Sequence, residues 1–298
     1  MAAEIRGVIP PILTPMYEDE SINFDELRRQ VERMIAGGVH GLFCFGTNGE
    51  GYILSDGEKE KVLAAVIEQA AGRVPVYAGT GCVGTKDTIR MSQMAERLGA
   101  DVLSIISPYF AACSQNELYD HYKAVAESVH IPIVLYNIPA RTGVNIAPAT
   151  VARLAEVEHI KGVKDSSGNF DNMKQYIELT RGKDFAVLSG NDSLILWCLL
   201  AGGKGGIAGC ANVYPKTMSS IYDTFMAGDM EKAMEIQDSI RSFRNCFKYG
   251  NPNTIVKAAT ELLGYAVGKC RKPFCTLPEE GVEALRKVLA ENKAQGLE

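Results

Sequence analysis

The sequence has no CxxC pair among its eight cysteines and no HxxxH or HxH pair among its four histidines, at positions 40, 121, 130 and 159. A zinc site needs several such ligands at close spacing, so no metal centre is expected. Basic excess is missing too. The formal charge of -5 and pI near 5.6 argue against a nucleic-acid partner, which would leave a basic footprint. No apolar run approaches the roughly 18 residues of a membrane span, so no membrane partner is expected either. The opening segment MAAEIRGVIPPILTP lacks a basic stretch leading into an apolar one, so it does not read as a signal peptide and a cytoplasmic location is expected. Several cysteines lie inside apolar runs such as LFCF and LWCLL. They read as reduced core thiols.

What is present is a rhythm. The chain of 298 residues is 46% apolar and 22% charged, without low-complexity tracts, and is long enough for one large barrel or two ordinary domains. Eight short apolar runs recur along it: GVIPPIL, GLFCF, VPVYAG, VLSII, IPIVLY, IKGVK, FAVLS and GGIAG. Helical patterns separate them. Phe24, Leu27, Val31, Met34 and Ile35 mark one buried helix face by their three- and four-residue spacing. Asn23 before Glu26 and Ser55 before Glu58 stand at capping-box spacing, a helix-start signal.

Strands joined through crossover helices run parallel, and eight such units predict an α/β fold, a (β/α)8 TIM barrel of roughly 250 residues. Strand patterns stop after about residue 226. The expected organisation is a catalytic barrel over 1–226 and a C-terminal three-helix extension over 227–298, with helical stretches near 229–246, 252–263 and 278–292. A doubly wound open sheet is the competitor, carried by GTGCVG at 79–84. A dinucleotide site also needs an acid ending the next strand, and Asp101 instead precedes VLSII. GGKGG at 202–206 fails as a phosphate loop because Lys204 is followed by glycine.

In such a barrel the chemistry sits at the carboxyl ends of the strands. Those ends supply Thr47 and Asn48 in GTNGE, Ser107 through Phe110 in SPYF, Tyr136 and Asn137 with Arg141 close behind, Lys164, Gly190 and Ile207. The set has no serine and histidine pair for acyl transfer, and no paired carboxylates for glycoside chemistry stand out. One amine among phenols, a hydroxyl, a guanidinium and glycine-rich backbone points to Schiff-base catalysis. A nucleophilic amine must be neutral, and only about one lysine in 2,500 is neutral at pH 7 when its pKa is unperturbed. Burial in a barrel mouth is the expected remedy. Strand alternation puts Ile160, Gly162 and Lys164 on one face and Lys161, Val163 and Asp165 on the other, with Gly162 expected to leave space beside the Lys164 amine.

GTNGE, SPYF, YNIPARTG, GVKDSSG and LSGND, in this order and at these separations, resemble the dihydrodipicolinate synthase and N-acetylneuraminate lyase family of pyruvate-dependent class I aldolases. The resemblance runs from ILTP through GGIAGCANVYP and weakens across the last helices. It implies Lys164 as the Schiff-base lysine, Tyr136 as the proton-shuttling tyrosine and Thr47 as the hydroxyl that relays to it. Asn48 stands where a second threonine helps bind the pyruvate carboxylate, Arg141 where an arginine holds the second substrate's carboxylate, and Gly190 and Ile207 where the pyruvate pocket is lined. Phe110 stands where the synthases have a tyrosine given across a dimer to the proton relay, with Tyr109 beside it.

The family fold is the same barrel with carboxy-terminal helices, usually a homotetramer built from tight dimers, and its chemistry requires no cofactor. The implied substrates are pyruvate and an aldehyde or 2-oxo acid. Arg141 favours aspartate semialdehyde and the synthase reaction. Asn48 and Phe110 favour an enzyme acting on a 2-oxo-3-deoxy sugar acid or resembling N-acetylneuraminate lyase. A non-catalytic 2-oxo-acid sensor is the alternative from another class.

Overall fold

Pro10 and Pro11 shorten the first strand, because neither carries an N–H to extend a ladder. The structure, a computed structural model, describes residues 3–298. Strand β1 covers Gly7–Ile9 only, yet the proline segment still pairs. Phe43 N donates to the Pro10 carbonyl at 2.9 Å, and Ile12 N to the Phe43 carbonyl at 3.0 Å. Phe43 belongs to β2, Leu42–Cys44.

The remaining strands are β3 (Val76–Gly79), β4 (Val102–Ile106), β5 (Ile133–Asn137), β6 (Ile160–Asp165), β7 (Ala186–Ser189) and β8 (Gly205–Ile207). Each falls on one of the eight apolar runs, with β5 and β6 extending one residue beyond theirs, to Asn137 and Asp165. Neighbours from β3 to β8 pair in parallel. Helices separate successive strands. That succession is the (β/α)8 barrel, with helices following its last strand.

The helices form where the spacing puts apolar side chains on one face. In the helix Phe24–Ala36, Leu27, Val31 and Met34 are buried, while Phe24 and Ile35 at the edges are half-buried. Ser55 makes a complete capping box with Glu58. Asn23 makes half of one: its side chain accepts from Glu26 N, but the Glu26 carboxylate turns away to Gln30 and Arg29. After the barrel strands the helical stretch expected over 229–246 is interrupted. It consists of Met230–Ser239, a short Arg241–Arg244 helix and a 3-10 turn over Asn245–Tyr249, followed by Pro252–Leu262 and Glu279–Ala294.

By packing the chain forms two compact units. One comprises Pro75–Ile207 with residues 3–6; the other comprises Gly7–Val74 with Ala208–Glu298. The middle glycine of GTGCVG, Gly81, has a packing reason in the first unit. A Cβ on Gly81 would come within 2.7 Å of the Ile106 backbone, so this glycine lets the chain pass close to β4. Asp101 accepts from Val76 N at 2.8 Å, at the amino-terminal edge of β3 and β4, the wrong end for a ribose.

Candidate active site

Parallel pairing of β5 with β6 makes Tyr136 and Lys164 lateral partners at the carboxyl ends of their strands. Their side chains meet. Lys164 Nζ lies 3.8 Å from the centre of the Tyr136 ring, and the two residues are only 4% and 5% exposed. Lys161, on the opposite face of β6, reaches the surface and pairs with Asp184 at 3.2 Å. The alternation expected for this strand therefore separates a buried lysine from a solvated one.

Gly190, just past β7, makes the space that Lys164 occupies. A Cβ there would lie 2.9 Å from Lys164 Cε and 1.9 Å from Ser166 Oγ. Gly162 does not have the role expected of it. Its missing Cβ would meet the Ala186 carbonyl at 2.7 Å, so this glycine serves the close approach of β6 to β7.

Of the other expected residues in this unit, Ile207 ends β8 and is buried. Arg141 is exposed on a short helix, Pro139–Thr142, that follows β5. Tyr109 is half-buried after β4, where burial first and the neighbouring Cys82 second raise its phenol above the usual range. Phe110 is 100% exposed and holds φ at 77°, a left-handed conformation that is costly for a bulky residue. Sequence reasoning collected Asn137 at its strand end but missed its buried polar neighbours behind the lysine, Asp165 and Asn172. Asp165 is buried beside Asn137 and Asn172, and an aspartate directly after a strand-end lysine, with asparagines spaced around it, is the signal.

Thr47 and Asn48 belong to the second unit. Thr47 is half-buried and Asn48 buried in a loop bent tightly by glycines. A Cβ on Gly49 would come within 2.8 Å of the Ile12 carbonyl, and one on Gly51 within 2.3 Å of the Phe45 carbonyl. Phe45 and Glu50 both hold positive φ, at 67° and 56°. Thr14 Oγ1 donates to the Gly49 carbonyl at 2.8 Å.

The loop is also tied by a buried ion pair. Lys257 Nζ lies 2.6 Å from Glu50 Oε1, with side chains 1% and 0% exposed. Lys257 also donates to the Lys269 carbonyl, and Glu50 Oε2 accepts from Arg271 N at 2.8 Å. A buried pair is tolerated when its remaining hydrogen-bonding capacity is filled in this way.

All eight cysteines are free, five of them buried. Burial raises the thiols of Cys198 and Cys270 to about 12, so these two are poor nucleophiles. Among the described residues no cluster of histidine, cysteine and carboxylate side chains is placed to hold a metal ion.

The model of the dihydrodipicolinate synthetase family matches residues 4–292. A 4-hydroxy-tetrahydrodipicolinate synthase from Methanospirillum hungatei is 41% identical over 288 residues, which is 96% of this chain and 98% of the relative. The enzyme of that name from Haloarcula marismortui is 39% identical over 298 residues, covering 100% of this chain and 97% of its own. Among solved structures, dihydrodipicolinate synthase from Thermotoga maritima superposes with a TM-score of 0.94 at 34% identity, over 97% of this chain and 99% of that one. The chloride-inhibited synthase from Acinetobacter baumannii, complexed with pyruvate, gives 0.94 at 35% identity with the same coverage.

Proposed function

The chain belongs to the dihydrodipicolinate synthetase family, and on that premise we propose that Lys164 is the imine-forming amine of its pyruvate-dependent aldol chemistry. The protein is a dihydrodipicolinate synthase-like class I aldolase, a carbon–carbon lyase. One observation carries the assignment of the amine: a lysine side chain at a strand end, buried, with its nitrogen 3.8 Å from the centre of the Tyr136 ring.

The neutral Lys164 amine attacks the C2 carbonyl of pyruvate. A carbon–nitrogen bond forms, the carbonyl oxygen leaves as water, and an iminium remains. The Tyr136 ring beneath it presents an electron-rich face to that positive charge. The iminium draws electrons from C3, a C3 proton leaves, and the resulting enamine attacks the carbonyl carbon of an aldehyde. Water then cleaves the new iminium and frees the amine; the reverse sequence breaks the same bond. The family resemblance gives Tyr136 the proton transfer and Thr47 the hydroxyl that relays to it. It likewise gives the backbone N–H groups of Thr47 and Asn48 the pyruvate carboxylate, and Gly190 and Ile207 the lining of the pyruvate pocket. The iminium is itself the electron sink, so the reaction as proposed needs no cofactor.

Arg141 receives the carboxylate of the second substrate, which favours aspartate semialdehyde. A guanidinium fork matches a carboxylate with two parallel hydrogen bonds. Phe110 supports a second reading. A phenyl ring cannot relay a proton, and an enzyme without that relay suits a sugar-derived aldehyde or a 2-oxo-3-deoxy sugar acid.

A panel of aldehydes offered with pyruvate decides between them. Turnover of aspartate semialdehyde by the native chain, raised about tenfold or more by Phe110→Tyr, is the expected outcome. Reaction with sugar-derived aldehydes alone establishes the second reading, and reaction with neither overturns both.

The assembly proposed is a homotetramer of tight dimers, in the cytoplasm. Phe110, a bare phenyl held in a strained conformation, and the half-exposed Phe170, Trp197 and Leu200 supply apolar surface for it. No helix of the described residues is long and apolar enough to cross a membrane.

A further inference from the structure

Behind the strand pair that carries Tyr136 and Lys164, four side chains close a ring of hydrogen bonds. Asn137 Nδ2 donates to Asp165 Oδ1 at 2.9 Å and to Asn145 Oδ1 at 2.8 Å. Asn145 Nδ2 donates to Asn172 Oδ1 at 3.2 Å. Asn172 Nδ2 donates to Asp165 Oδ2 at 3.3 Å and completes the circuit. Asp165 also accepts from Ser167 N at 3.1 Å and from Ser167 Oγ at 2.8 Å.

The ring has a fixed direction, and a backbone donor fixes it. Ile146 N donates to Asn137 Oδ1 at 3.0 Å, so the Asn137 amide group must face Asp165 and Asn145 with its nitrogen. Asn145 and Asn172 then have only one orientation that pairs each donor with an acceptor. The ring closes because Asp165 accepts on both oxygens. An asparagine at this position would turn a donor toward another donor, and no set of amide flips removes that conflict without stranding Ile146 N–H.

The ring clamps both ends of one segment. Asn137 starts it, and Asn145 and Ile146 end it; between them lies the turn 138–146 with the helix Pro139–Thr142 and Arg141. Tyr176 adds a donor to the Ile146 carbonyl and Gln115 one to the Asn145 carbonyl. Asn137 and Asp165 are themselves lateral partners, one residue beyond Tyr136 and Lys164. The hub of the clamp is therefore the immediate chain neighbour of the imine lysine.

We propose that Asp165 is a positioning residue whose amide ring holds the turn 138–146, and with it Arg141, so that the enzyme favours second substrates carrying a carboxylate. This rests on the role given to Arg141 above. It extends that role by assigning the selectivity to a group that touches neither substrate. Asn145, exposed at the edge of the ring, can be altered without opening the core.

The test compares Asp165→Asn and Asn145→Ala with the native enzyme. Amide hydrogen exchange without substrate should quicken about tenfold across 138–146 and stay unchanged in the other strands. KM for an aldehyde bearing a carboxylate should rise about tenfold in both variants, while KM for pyruvate moves by less than about twofold. Loss of thermal stability with an unchanged ratio of the two KM values would make the ring merely structural and overturn the proposal. So would unchanged exchange in the turn, or equal rises in both KM values. Should Asp165→Asn fail to fold, Asn145→Ala decides alone. Failure of the aldolase reading is separable, since the native enzyme would then turn over no aldehyde while the exchange measurement still reports on the ring.

Discussion

Gly190 stands where a methyl group would press on Lys164 Cε at 2.9 Å, so a missing atom, as much as any partner, places the amine. Single buried side chains elsewhere respond to the same shortage of room and water. His121 is 5% exposed on the helix Gln115–Ala126. Its Nδ1 shares a hydrogen with Thr85 Oγ1 at 2.9 Å, and its Nε2 has no partner among the described residues. Burial lowers its pKa to about 4, against about 6.5 in an unfolded chain. Between those values the unfolded chain binds the proton and the folded one does not. The contribution is thus complete above about pH 6.5, lost as pH falls toward about 4, and worth at most about 3 kcal/mol. Denaturant unfolding of His121→Gln at about pH 7 and about pH 4.5 should show a flatter pH dependence than the native chain. An identical slope in both proteins would refute this account. Glu58, which Arg271 holds at about 2, weakens the fold only at lower pH.

At the scale of elements, strands and their ends were legible because a period of two and the Gly, Pro and Asn punctuation are local signals. All eight apolar runs contain strands, and Tyr136 and Lys164 meet at the carboxyl ends where the run boundaries put them. Helix starts were only partly legible. Ser114 and Glu117 form a complete capping box at the same spacing as Ser55 and Glu58, yet this one went unrecognised within a loop-like stretch. Asn23 capped as expected, but a carboxylate with buried neighbours of its own did not return the bond. Long-range pairing left no trace in the sequence. Glu50 and Lys257 stand 207 positions apart, and nothing near Lys257 distinguishes it from a solvated helix lysine. Gly162 was misread for a related reason: whether a glycine makes room for a side chain or for a neighbouring strand depends on which strand lies beside it.

For the whole molecule the same apolar side chains that a single chain exposes become an expectation about assembly. Trp197 and Leu200 stand three residues apart on the helix Ile195–Leu200 and remain half-exposed, the spacing of one helix face. Sedimentation velocity should give a tetramer for the native chain and a smaller species for Trp197→Arg combined with Leu200→Asp. A native chain that sediments as a monomer at micromolar concentration would contradict the proposed assembly.

The account as a whole turns on one covalent bond. Pyruvate and borohydride added together to the native enzyme, followed by peptide mapping, measure that bond directly. The account predicts one reduced adduct on Lys164, absent from Lys164→Ala and still formed by Tyr136→Phe. An adduct on another lysine, or none while the enzyme still consumes pyruvate, would contradict it.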